Sequence, residues 1–136
     1  PPLGLAGRFT LVDLGNGRRG FDLKGVIAQV VDYARIYALK HQVEPAGTKA
    51  RLDELHRRKL LAPGRHGELV HVFDCLMQVR LENQERAIRN HRPPDNFIDP
   101  EELTFIEQRM VREAFSRLKD FQVGLSYDFT GMAGEA

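Results

Sequence analysis

An arginine and two amides, Arg80, Asn83 and Gln84, fall where a helix should bury apolar side chains. They belong to "RLENQERAIRN", residues 80–90. Wound at about 100° per residue, they continue the stripe begun by Leu69, Val72, Phe73, Leu76 and Met77. A second stripe, Leu103, Ile106, Met110, Ala114, Leu118, Phe121 and Leu125, carries Glu107 within it and Gln122 at its edge. A charge on a buried face must be paired or neutralised, since leaving it bare costs roughly several kcal/mol. The expected partner of Glu107 is Arg80 or Arg35. Two compatible readings follow. Arg80, Gln84 and Glu107 form a buried network that fixes helix register, or Arg80 and the amides line a polar pocket that meets a ligand or a partner domain.

Other constellations carry less. "GNGRRG", residues 15–20, has the spacing G-x-G-x-x-G, but "FDLK" follows it and no second strand comes after the next helix. A hairpin turn accounts for it better than a dinucleotide loop. "HRRK" at 56–59 is basic, and "LDELHRRKLLAPGRHGELV" has a helix-turn-helix cadence. A near-neutral chain without a helix rich in base-reading residues makes this a solvated patch rather than a DNA-binding face. His71 and Cys75 are one helical turn apart, with no second pair at ligand spacing, so they read as surface or rim residues. No serine or cysteine sits in a nucleophile motif, and Gly-Ser followed by Asp-x-Asp is absent. This chain by itself is not expected to be an enzyme.

The elements that must position these residues are mostly helical. The 136 residues make one ordinary domain, able to bury a core without disulfides. Hydrophobic residues at 42% and charged residues at 29% argue against disorder. A net charge of +1 selects neither nucleic acid nor an anionic membrane. A single cysteine, Cys75, fits a reducing cytoplasm. No apolar run nears the roughly 20 residues of a membrane span. The opening Pro1-Pro2-Leu3-Gly4 has no initiator Met and no signal pattern, and reads as a cut from a longer chain.

Residues 9–13 and 20–24 suit two short strands, giving a small hairpin appendage. A first helix runs from Gly25, apolar most of the way round, until Pro45 and Gly47 end it. Thr48 is the expected N-cap of a second helix that closes at residues 62–64. A third runs from about Glu68 to Asn90, followed by a loop. Asp99-Pro100-Glu101-Glu102 opens a fourth, with a capping Asp, a Pro at the first helical position and acids in the first turn. The fold class is all-α: an up-and-down bundle of four to five helices with a short N-terminal hairpin. The chain divides into an N-terminal segment at 1–24, a bundle at 25–129 and a tail at 130–136.

Several stretches then add up in order: "FDLKGVIAQVVDYARIYAL", "GTKARLDEL", "RLENQ" and "DNFIDPEELTFIEQRMVREAFSRLKDFQ". The chain resembles the helical nucleotidyltransferase substrate-binding domain family. That domain lies C-terminal to a uridylyltransferase-like domain, in signalling proteins that often carry cyclic-nucleotide-binding and cystathionine-beta-synthase-type domains. The resemblance rests on Asp22, Leu23 and Lys24 before the first helix and on Arg35, Ala38 and Leu39 within it. Thr48, Arg51 and Leu52 carry it in the second helix, and Arg80, Leu81 and Gln84 in the third. Asn96 and Pro100 precede the last helix, and Gln122 lies near its end. Gly47 departs from the family, which often has Asn before the Thr.

The resemblance implies an accessory domain that forms one wall of an active cleft, as the helical domain of kanamycin-type nucleotidyltransferases does. The catalytic carboxylates, Mg2+ and a nucleoside triphosphate would then belong to an upstream nucleotidyltransferase domain of the same chain. Arg80 would meet a phosphate or acid, since its planar fork suits both, with Asn83 and Gln84 orienting it. The implied setting is a bacterial cytoplasmic signalling protein, with neither nucleic acid nor membrane as partner. The alternative is a docking or homodimerisation module with no ligand of its own, using Ile36 and Leu39 on the flank of the first helix.

Overall fold

The glycines of "GNGRRG" close a hairpin. In the computed structural model, which describes residues 12–15 and 17–126, strand β1 (Val12–Gly15) runs antiparallel to β2 (Arg18–Asp22). Gly15 and Gly17 take φ of +90° and +74°, a region that L side chains rarely adopt. The Gly15 N–H donates to Asp13 Oδ1 at 2.8 Å, tightening the turn. Residues 9–11 of the first expected strand lie outside the described residues, as does the tail expected at 130–136.

The sheet is more than an appendage. A third strand, β3 (Phe97–Ile98), pairs antiparallel with β2, in the register Phe21↔Ile98 and Asp22↔Phe97. Two residues have no periodicity to read, so the sequence gives this stretch as loop. Phe21 is 1% exposed, and its ring meets Phe115 edge-on at 5.3 Å, so β2 contributes to the core.

Helix α1 (Leu23–Lys40) starts two residues before the expected Gly25, directly from β2, with the Leu23 N–H donating to the Asn96 carbonyl at 2.8 Å. Its buried side holds Val26, Ile27, Val30, Tyr33, Ala34, Tyr37 and Ala38. Ile36 is half-buried and Leu39 is exposed, so the helix is amphipathic rather than apolar all round. Helix α2 (Thr48–Arg57) is capped by Gly47, with no side-chain cap; Thr48 is its first helical residue, not the cap expected of it. Helix α3 (Arg65–Arg89) touches α1, α2 and α4 and is the spine of the bundle.

Three helices end in the same way. The backbone N–H groups of Val43, Leu60 and Arg92 donate to the carbonyls of Ala38, Leu55 and Ala87 at 2.8, 2.9 and 2.8 Å. The residue before each, Gln42, Lys59 and His91, has φ of +55°, +60° and +56°. This is the Schellman closure, made here without glycine. It stops α2 at Arg57, short of the apolar Leu60 and Leu61 that the sequence suggested as its continuation.

Asp99 caps as expected, its Oδ1 accepting from the Glu101 N–H at 2.9 Å, but what it caps is a single 3-10 turn at Pro100–Glu102. Helix α4 (Phe105–Ser126) begins after a break at Leu103. Its start is a capping box: the Thr104 N–H donates to Glu107 Oε1 at 2.8 Å, and the Glu107 N–H to Thr104 Oγ1 at 3.1 Å. The buried face differs from the expected stripe. Val111, Ala114, Phe115, Leu118 and Phe121 are buried, whereas Ile106 is 71% exposed. Pairings of Arg86 with Glu107 and of Arg117 with Glu68 run α4 antiparallel to α3. No helix among the described residues is long and apolar enough to cross a membrane.

Candidate functional site

The buried stripe of α3 is Leu69, Val72, Leu76, Val79, Asn83 and Ala87. Asn83 is therefore inside, at 8% exposure, as a polar member of the core face. Arg80 and Arg86 stand three residues before and after it. At 100° per residue this puts them about 60° to either side, on opposite shoulders of the stripe. The two shoulders meet different neighbours.

The Arg86 shoulder faces α4 and is enclosed, although Arg86 Nη1 and Glu107 Oε2 are buried there without a hydrogen-bond partner among the described residues. Arg86 Nη2 donates to Glu107 Oε1 at 2.8 Å, with the Glu107 side chain only 3% exposed. Burial by itself would raise the Glu107 carboxyl; the Thr104 N–H and hydroxyl, a contact with Glu82 and the Arg86 charge outweigh it and hold the group below its usual range. Glu107 thus has a partner, but not the expected Arg80 or Arg35. Antiparallel packing sets the start of α4 level with the end of α3, where Arg86 lies. Arg35 is on the surface and nearest Asp32, at 3.8 Å.

The Arg80 shoulder faces α2 and is open. Arg80, Gln84, Met77 and Leu81 of α3 line a groove of about 570 Å³ with Lys49 of α2. Gln78 and Asp74 complete its rim. Lys49 Nζ lies 2.6 Å from Asp74 Oδ1, with both side chains about half exposed. The buried Arg80 Nε has no hydrogen-bond partner among the described residues. Two cations against one carboxylate leave the groove net positive, and two amides offer both donors and acceptors. The apolar stems of Met77 and Leu81 add a floor. Such a surface can hold an anion and orient it; it contains no pair of groups arranged for proton transfer or nucleophilic attack.

The structure therefore brings Arg80 and Gln84 together, and sets Asn83 apart in a separate pocket with Arg92, Asp95 and Glu102. Sequence reasoning missed Lys49, Asp74 and Arg86. The first two come from a tertiary contact that no local spacing reports. Arg86 was legible in principle, as the mirror of Arg80 about Asn83.

The remaining residues picked out by the sequence have local roles. Arg51 Nε donates to the Pro45 carbonyl at 3.1 Å and ties down the loop before α2. Asp22 precedes α1 without a side-chain cap bond, and Lys24 is exposed. The Asn96 carbonyl holds the start of α1, while its buried Oδ1 has no partner among the described residues. Gln122 lies on α4, with its side chain outside the described part.

The rejected constellations also resolve. Arg57 and Arg58 both clasp Glu54, at 2.6 and 3.0 Å; the Arg57 hydrogen bond foremost holds that carboxyl down to about 2. The basic run thus spends two of its charges on its own helix. Cys75 Sγ is 3.6 Å from His71 Nε2, and burial, then Glu113 and Asp74, push the thiol up, away from thiolate chemistry.

Neither a curated protein nor a solved structure matches the chain. A family model does, over residues 1–129, and its description is "Putative nucleotidyltransferase substrate binding domain". A positive groove able to hold an anion fits that description. With all but the last seven residues matched, the chain belongs to this nucleotidyltransferase substrate-binding family.

Proposed function

We propose that this domain forms one wall of a nucleotidyltransferase active cleft, and that its α2–α3 groove holds the phosphate or acidic end of the substrate. The observation that carries the reading is Arg80: a guanidinium lining an open, net positive groove beside Lys49. Gln84 and Gln78 supply orienting hydrogen bonds. The catalytic carboxylates, Mg2+ and nucleoside triphosphate belong, on this reading, to a nucleotidyltransferase domain of the same chain.

The test is steady-state kinetics of a polypeptide carrying both domains. Arg80→Ala and Lys49→Ala should each raise the substrate KM by about tenfold, equivalent to about 1.4 kcal/mol of binding, with kcat changed much less. Unchanged KM in both variants would remove the groove from the substrate path.

A second reading, a docking or homodimerisation module, is favoured by Leu39 on α1, which stands 73% exposed. It predicts concentration-dependent association in sedimentation experiments, abolished by Leu39→Lys.

A further inference from the structure

At the C-terminal end of the Asn83 face lies a second cavity, of about 330 Å³, between the end of α3 and the segment leading to β3. We propose that it is a binding site for a small zwitterion of the free α-amino-acid class, separate from the α2–α3 groove.

Its lining is amphoteric. Arg92 brings one cation, and Asp95 and Glu102 bring two carboxylates. Arg92 Nη1 lies 3.8 Å from Glu102 Oε1, longer than a hydrogen bond, so the guanidinium keeps donors for a ligand carboxylate. Asn83 is 8% exposed, and its Nδ2 donates a long hydrogen bond to the Asp95 carbonyl at 3.4 Å. Its amide oxygen is left to accept from a ligand N–H.

Phe97, 42% exposed, and the buried Ala87 supply an apolar surface for a side chain. Two features hold the lining in place. The Schellman closure of α3 fixes the Arg92 backbone on Ala87, and Asp95 Oδ1 accepts from the Phe97 N–H at 3.1 Å.

The charge pattern decides the ligand class. Two carboxylates against one arginine disfavour a phosphate, and the arginine disfavours a simple organic cation. A ligand carrying an ammonium and a carboxylate a few ångströms apart satisfies both signs. The ammonium goes to Asp95 and Asn83, the carboxylate to Arg92, and the side chain to Phe97. The volume is at the small end for ligand sites, large enough for an amino acid and small for a nucleotide.

The experiment is calorimetric titration of this chain with free L-amino acids, each accompanied by its N-acetyl and methyl-ester derivative. At least one free amino acid should bind saturably, and each derivative should bind at least tenfold more weakly. Arg92→Gln should weaken the free amino acid and erase its advantage over the ester. Asp95→Asn, which still accepts the Phe97 N–H, should erase its advantage over the N-acetyl form. A misfolded variant would lose all ligands alike, so the selective erasure distinguishes binding from structure. Absence of saturable binding by every free amino acid, or discrimination that survives both substitutions, would overturn the proposal.

Discussion

Arg80 and Arg86 occupy mirror positions about Asn83 on one helix, yet one ends in a sealed ion pair and the other in an open groove. The difference lies in the neighbours. Helix α4 runs antiparallel against the Arg86 shoulder and delivers Glu107 to it, inside a capping box that already orients the carboxylate. The short helix α2 reaches the Arg80 shoulder with Lys49, a second cation, and Asp74 answers Lys49 rather than Arg80. A polar residue on an apolar face is thus structural where the adjoining helix brings its complement. It is available for binding where the adjoining helix brings the same charge.

The largest consequence concerns Glu107. Glu107→Ala strands Arg86 and removes the capping box, and should cost about 3–5 kcal/mol in urea denaturation. A cost below about 1 kcal/mol would show that the sealed shoulder is no more structural than the open one. Acid should act through the same group. Its folded-state carboxyl is held below the ordinary value of about 4.3, so its contribution is complete above that value and is lost as pH falls through the lower, folded one. Stability measured from pH 6 downward should therefore fall below about pH 4, and Glu107→Gln should flatten that fall.

Thr104→Ala removes half of the capping box but leaves the Arg86 pair, and should cost about 1 kcal/mol. On the open shoulder the effects shrink. Lys49→Ala breaks an ion pair half exposed on both sides, and should change stability by less than about 0.5 kcal/mol in the same denaturation experiment.

Much of this was legible in the sequence, and the exceptions are specific. The helical bundle, the hairpin turn at Gly15–Gly17 and the capping role of Asp99 follow from periodicity and turn chemistry. The boundaries that moved did so for nameable reasons. Gln42, Lys59 and His91 end helices in the left-handed region without the glycine that usually signals it. "TFIE", residues 104–107, is a capping-box signature, and reading it would have started α4 at the right residue. Glu107 was found as a buried charge, but its partner depended on helix direction and level, which a single-helix wheel does not carry. Arg80 and Gln84 were legible as misplaced polar residues. Lys49 was not, because only the contact of α2 with α3 brings it to them.

The central claim is that Arg80 serves binding rather than folding, and one variant reads both. Arg80→Ala should change the unfolding free energy by less than about 0.5 kcal/mol and raise the substrate KM about tenfold when the nucleotidyltransferase domain is present. A loss near 3 kcal/mol, with KM unchanged in the fraction that remains folded, would contradict it and return Arg80 to the structural side of the helix.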